Sequence, residues 1–402
     1  MDPKPSRRDA SHTGEVDARH LTQVVDAVKS LLSTADHDAK EQAVELLLAS
    51  DSAVRQAVVP LISGPVQSAV CLRSNMVCPK HLMMCLSYNQ GDMKHLVHHP
   101  EVTSLYILTR PSTAPVVLSS LPPLLTRLHV HGFFYGPQQV VSMAGVPQTL
   151  KRLSLTGMDI CDVAELPSLT SLHQVRCPGS STAQILECVR PQMIHVQSSK
   201  APMPHITLAQ QDRLHTLHME GCGLRQPPSG LTSLKNLKHL NLANNSISAL
   251  PTALGGLVGL ETLVVSGNPI AALPDSIGEM TSLKILRASA TALTDLPSST
   301  ASLSQLRRLV LSSSQIRSLP PTLGQLRWLR WLDVGKTPLQ HLPDGGMPHL
   351  RHLKCSLAPR LSLPPRAALP SLRHLLVSEG DVAAAQAWAA TGSRKLNIQV
   401  TR

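Results

Sequence analysis

Apolar residues recur along this chain in a fixed frame, Leu-x-x-Leu-x-Leu, about every twenty-three residues. The frame opens at Val102-Leu105-Ile107 and passes through Leu125-Leu128-Val130, Leu150-Leu153-Leu155, Leu172-Val175-Cys177 and Met193-Val196-Ser198. It sharpens from Leu214-Leu217-Met219, recurs at Leu237, Leu260, Leu283, Leu306, Leu329 and Leu350, and closes at Leu372-Leu375-Val377. The fourth position is Leu or Val in all thirteen units. Alternating buried positions four and six predict one short strand per unit. Self-similarity at this period predicts stacked units, each contacting only its neighbours, which together offer an extended surface. A ladder of thirteen strands about 4.8 Å apart is on the order of 60 Å long.

The polar positions carry the turns. Asn245 and Asn268 stand at the ninth position, where an amide can bond backbone groups that the turn leaves unpaired. Thr291, Ser314 and Thr337 keep a shorter hydroxyl there, whereas Cys222 and Ala358 replace it poorly. Units before Leu214 lack the residue, so the N-terminal half of the ladder is expected to be less regular. Pro251, Pro274, Pro297, Pro320 and Pro343 each follow a Leu, and proline suits the start of a 3₁₀-like outer segment. Gly255, Gly278 and Gly324 allow tight outer turns.

This pattern resembles the leucine-rich repeat over roughly residues 102 to 380. Its Leu-Pro-x-x-Leu-Gly form is similar to Ras-group and plant-type intracellular repeats, and to the repeat region of type III effectors from plant-pathogenic bacteria. The resemblance implies an α/β solenoid, a horseshoe with a parallel concave β-sheet. It also implies caps at both ends, because a solenoid must cover its terminal apolar faces. Residues 1–20 read as a disordered polar segment. Residues 21–100 read as a helical N-terminal cap or subdomain, with Leu21, Val24, Val25, Val28, Leu31 and Leu32 on one helical face. Asp38 and Glu41 resemble a capping box for a second helix, and Asp51 starts a third. The repeats then occupy residues 101–380, and residues 381–402 form a short C-terminal cap of one helix from Asp381 and a strand at Leu396-Asn397-Ile398. Ubiquitin-ligase effectors of this general kind carry a catalytic domain beyond their repeats. The residues after Gly380 leave no room for one, so the resemblance implies at most a recognition part.

Charge changes the picture most. The second, third and fifth positions of each unit point away from the core. Of the thirty-six such positions from the unit at Leu125 onward, thirteen are Lys or Arg, eight are His, and only Glu261 and Asp333 are acidic. That excess equals the formal net charge of the whole chain, +11. The densest part is the second-position column Lys284, Arg307, Arg330, Arg351 and Arg373 on five successive strands, with Arg287, Arg308 and Lys354 beside it. Like charges about 5 Å apart repel by roughly 0.8 kcal/mol in water before screening, so the column favours an anionic partner. Trp331 lies beside Arg308 and His352, and the pairing of aromatic and Arg residues is typical of binding hot spots. His352 and His374 complete the candidate face and would add charge below pH 6.5. The same basic column also suits a merely solvated face.

An acidic protein surface is the expected partner. Nucleic acid is the alternative, and only 2% of the residues are aromatic to stack on bases. Anionic lipid is a further alternative, without an inserted apolar helix to support it. No Gly-rich phosphate loop, His-Glu-x-x-His or nucleophile elbow is present, so no enzyme is expected. Cys161-Asp162 falls in the turn region of a repeat with no helical domain around it. Cys177 and Cys355 hold buried sixth positions and no cysteine-rich cap flanks the ladder, which fits a reduced, cytoplasmic setting. Delivery into a host cell by a type III system is the alternative location. Cys71, Cys78 and Cys85 with His81 make a metal site conceivable, but they lack a paired Cys-x-x-Cys, and no cofactor is expected. No apolar run is long enough to span a bilayer.

Overall fold

The computed structural model describes residues 23, 25–28, 30, 43, 47, 81–85, 96, 98–109, 116–118, 121–131, 139–143, 145–156, 158–162, 174–197, 206–343, 346–356, 358, 361–392 and 396–400. They fall into two compact units, residues 1–150 and 151–402.

In the first unit, β1 (His81–Cys85), β2 (Ser104–Leu108) and β4 (Arg127–His131) form a parallel ladder, and β3 (Val116–Val117) pairs with β5 (Gln139–Ser142). Leu82 pairs with Leu105, and Leu105 pairs with Leu128, so all three occupy the fourth position of a unit. The ladder therefore begins one unit earlier than the sequence pattern, inside the segment expected to be a helical cap. Residues 25–28, 43 and 47 are helical, and Val28, Ala43 and Leu47 are fully buried. The rest of the expected helices, residues 1–20, Cys71 and Cys78 lie outside the described residues.

The second unit is a parallel solenoid. Its strands are β6 (Arg152–Thr156), β8 (Gln174–Pro178), β9 (Met193–Gln197), β10 (Thr216–His218), β11 (His239–Asn241), β12 (Thr262–Val264), β13 (Ile285–Arg287), β14 (Arg308–Val310), β15 (Trp331–Asp333), β16 (His352–Lys354), β17 (His374–Val377) and β18 (Asn397–Val400). Each pairs with the next in parallel. Behind the strands lie 3₁₀ segments such as Thr252–Gly256, Asp275–Glu279, Ser298–Ser302 and Pro321–Gln325, each preceded by proline. Between strands and 3₁₀ segments runs a continuous apolar core, in which Leu260, Leu263 and Val265 are fully buried. Each such side chain contributes about 1.5–3 kcal/mol by leaving water, which outweighs the modest gain from three-residue strands.

The turns close as the polar positions require. Asn268 Nδ2 donates to Leu242 O at 2.8 Å and Val265 O at 2.9 Å, and its Oδ1 accepts from Ile247 N at 3.0 Å. Asn245 repeats the arrangement on Met219 O, Leu242 O and Leu224 N. The hydroxyls of Thr291, Ser314 and Thr337 donate to Ala288 O, Leu311 O and Val334 O. The position before each of these residues takes the left-handed conformation, at Asn244, Gly267, Ala290, Ser313 and Lys336 with φ between 51° and 69°. Glycine enters this region without steric cost, whereas alanine does not. Ala290→Gly is therefore expected to stabilise the chain by about 0.5–1 kcal/mol. A urea denaturation midpoint that stays level or falls would contradict this.

Before residue 206 the described units are irregular. Their strands run to five residues, and an α-helix, α1 (Gly179–Cys188), replaces the outer 3₁₀ segment after β8. Buried Gln211, from the following unit, donates to Leu186 O and Val189 O and so closes the end of that helix. The fifth unit also sits differently from its sequence frame. Val175 and Leu217 both pair with Ile194, so the first position is Pro191 rather than Met193. Ile194 is buried and Met193 is 36% exposed, the reverse of what the Met193 frame requires. Cys161 lies within strand β7 (Met158–Asp162), not in a turn.

At the C-terminal end, α2 (Val382–Ala390) and β18 follow the last repeat. Arg366 is buried, donates to Leu369 O and Leu372 O, and sets its guanidinium 5.2 Å from the Trp388 ring centre. Trp388 Nε1 in turn donates to Pro364 O at 2.7 Å, so the helix is tied to the loop before β17.

Candidate binding face on strands β13 to β17

Parallel pairing without slippage places like positions of successive units side by side. Lys284, Arg307, Arg330, Arg351 and Arg373 thus form one column just before the strands, and Ile285, Arg308, Trp331, His352 and His374 form the next. Arg287, Val310, Asp333, Lys354 and Leu376 form the third.

The candidate cations are not equivalent. Lys284 Nζ lies 2.6 Å from Glu261 Oε2, and this hydrogen bond lowers the Glu261 pKa, with burial opposing it. Lys354 Nζ lies 3.5 Å from Asp333 Oδ2, while Asp333 Oδ1 accepts from Gly335 N at 3.0 Å. Both acids of the face are therefore occupied by lysines of the next strand. Arg330 folds back: its Nη1 donates to Arg327 O at 2.7 Å and His349 O at 3.2 Å, with the guanidinium 5.7 Å from the Trp328 ring centre. Burial, and secondarily Arg351, lower the Arg330 pKa. Arg287, Arg307, Arg351 and Arg373 are exposed and meet no carboxylate among the described residues.

The third-position residues form a stack. The Arg308 guanidinium lies 4.4 Å from the Trp331 ring centre, and Trp331 stacks on His352 at 4.9 Å and 24°. His352 stacks on His374 at 4.4 Å and 1°. The faces of Trp331 and His352 are thereby covered on both sides, and what remains toward solvent is ring edges. Burial, and secondarily Arg287, lower the Arg308 pKa, with Asp333 opposing.

Burial lowers the His352 pKa below 6.5, and His374, Arg351, Arg308 and Arg373 lower it further. Below pH 6.5 the unfolded chain takes up a proton that the folded chain resists, so this residue weakens the fold as pH falls. An anion on the face would offset those cations and raise the pKa again. A proton-NMR titration of His352 is expected to give a midpoint below 6.5 in the free chain and a higher one with an anionic ligand. A midpoint above 6.5 in the free chain would contradict the stacked, cation-flanked geometry.

A second histidine group lies on β9 to β11. His195 and His218 stand 5.5 Å apart, and burial, then His239, lowers the His218 pKa. Among the described residues no three His, Cys, Asp or Glu side chains are arranged to hold a metal. Nor is any described helix long and apolar enough to cross a membrane.

Sequence reasoning missed Trp328, which is 49% exposed beside Arg330. The available signal was an aromatic residue immediately before the first leucine of a unit, where neighbouring units carry small or polar residues.

Residues 189–302 match a protein family described as a leucine-rich repeat region. An internalin from Listeria monocytogenes superimposes with a TM-score of 0.51 at 20% identity, over 77% of this chain and 83% of its own. A TDR receptor gives 0.52 at 19% identity, over 75% of this chain and 59% of its own. A leucine-rich repeat protein of Leptospira interrogans gives 0.45 at 17% identity, over 76% and 91%. No curated protein matches the chain. The repeating unit and the parallel ladder, with the match over residues 189–302, give the described residues the fold of a leucine-rich repeat solenoid.

Proposed function

We propose that the chain is a protein-interaction module that grips an acidic partner through the strand face of β13 to β17. The observation that carries this reading is the cluster of exposed arginines, Arg307, Arg351 and Arg373, beside the Arg308–Trp331–His352–His374 stack, with both local acids already paired. Desolvated aromatic and Arg groups at the centre of a face are what concentrate binding energy. The stack also weighs against nucleic acid, because bases need open aromatic faces and this one offers edges. The Leu-Pro-x-x-Leu-Gly unit supports a more specific version, a bacterial effector acting inside a host cell. In this reading the helical residues before the ladder and the α2 segment cover its ends.

The test is quantitative partner capture by the chain and by a variant carrying Arg307→Glu, Arg351→Glu and Arg373→Glu together. Partners lost only from the variant, and not displaced by polyadenylate, support the proposal. Partners retained by the variant would move the site elsewhere, and displacement by polyadenylate would favour nucleic acid.

A further inference from the structure

The basic face ends in a depression. At the β17–β18 end lies a cavity of about 550 Å³ whose walls include Arg373, His374, Leu396, Asn397 and Ile398. Its walls therefore change from cationic to aliphatic within one strand spacing. Leu396 and Ile398 are only partly buried, although they pack against the core, so aliphatic surface remains open beside two cationic or protonatable groups. Exposed Arg351 lies one strand further along the column.

We infer that this depression takes one aliphatic side chain of a linear acidic segment whose carboxylates lie along Arg351 and Arg307. The inference rests on the acidic-partner reading and deepens it. Charge complementarity selects the segment: three exposed arginines and a histidine stack line the approach, while an aliphatic wall closes its end. The edges of His352 and His374 suit this ligand too, since an imidazole ring nitrogen lies in the ring plane and can bond a carboxylate oxygen there.

The spacing follows from the ladder. Arg307 and Arg351 are two strands apart, about 9.6 Å at roughly 4.8 Å per strand. A polyproline-II segment laid across the strands advances about 3.1 Å per residue and presents every third side chain to the same side, so three residues cover that span. The depression lies between one and two strands beyond Arg351, which three further residues, about 9.3 Å, reach. The matching pattern is an acidic residue, a second acidic residue three positions on, and an aliphatic residue three positions after that. Such a segment leaves Arg373 between the second acid and the anchor, available to either.

The experiment uses the full chain and a fluorescein-labelled, end-blocked twelve-residue peptide with glutamates and one leucine at that spacing, read by fluorescence polarisation. Replacing the leucine by serine is expected to weaken binding at least tenfold to the wild-type chain. The same replacement should have little effect on a Leu396→Ser chain, which has lost part of the aliphatic wall. Replacing both glutamates by glutamine should weaken binding to either chain. Changing only the peptide keeps the test valid if the Leu396→Ser chain is unstable. If leucine and serine peptides bind alike while the glutamates still matter, the aliphatic subsite is wrong and the acidic-partner reading stands. If no peptide binds at millimolar concentration, the inference is wrong. The acidic-partner reading itself fails separately, when captured partners survive the triple arginine reversal.

Discussion

Asn268→Ala is expected to lower the stability of the chain by about 3–5 kcal/mol, the largest effect of any single turn substitution. Asn268 is 2% exposed, and its amide bonds Leu242 O, Val265 O and Ile247 N. Removing it leaves backbone groups of two adjacent units buried without partners, and each such group costs about 1–3 kcal/mol. Water cannot repair the loss unless the turn opens, because Asn268 and its chain neighbours Val265 and Ile270 are all buried. In a solenoid the coupling between neighbouring units is itself the stability, so a break at one interface is felt by both sides. Ser314→Ala provides the internal comparison. Its hydroxyl makes one bond, to Leu311 O, and its loss should cost about 1 kcal/mol. Urea denaturation of both variants measures the difference; equal costs would mean that the amide network does not hold the units together.

Reversing Arg307, Arg351 and Arg373 to Glu is expected to weaken partner binding by a hundredfold or more. Each exposed cation contributes about 1 kcal/mol to a carboxylate contact at physiological salt, and a glutamate in its place turns attraction into repulsion. Three reversals therefore remove at least about 3–4 kcal/mol, and every 1.4 kcal/mol is tenfold in affinity. Stability should barely change, because all three side chains are exposed and none meets a carboxylate among the described residues. Lys284 and Arg330 are omitted for a physical reason. The Glu261 partner of Lys284 and the carbonyl contacts of Arg330 make their reversal a change of structure as well as of charge.

The regular part of the ladder was legible because one residue type answers one requirement at each position. Leucines at positions one, four and six, the ninth-position amides and the prolines before the outer segments all act within about one turn of chain. The fifth unit was misread because Met193-Val196 and Ile194-Val196 both offer apolar residues, while the true first position is Pro191. Strand β1 was missed because His81-Leu82-Met83-Met84-Cys85 is nearly all apolar and shows no alternation. It becomes a strand by pairing with β2, a contact that no local pattern encodes. Helix α1 has the same origin: a helix-compatible run whose end depends on Gln211 from the next unit.

At the candidate face the sequence revealed which charges share a column but not which are already engaged. Lys284 and Lys354 look like their neighbours in sequence, yet each meets an acid on the preceding strand. The stacking of Trp331, His352 and His374 was likewise hidden, since it depends on side-chain orientation across three strands. That stacking matters for specificity, because it turns an aromatic surface into a row of ring edges.

The central claim is that basicity acts by its placement on the strand face rather than by its total. The measurement that tests it most directly is partner affinity for two triple variants of equal charge change. One carries Arg307→Glu, Arg351→Glu and Arg373→Glu; the other carries Arg225→Glu, Arg317→Glu and Lys336→Glu, all exposed and away from the strand face. The account predicts a loss of a hundredfold or more for the first and less than about tenfold for the second, since distant charges are largely screened beyond about 8 Å. Equal losses from the two variants would contradict it and leave only a general attraction between a basic protein and its surroundings.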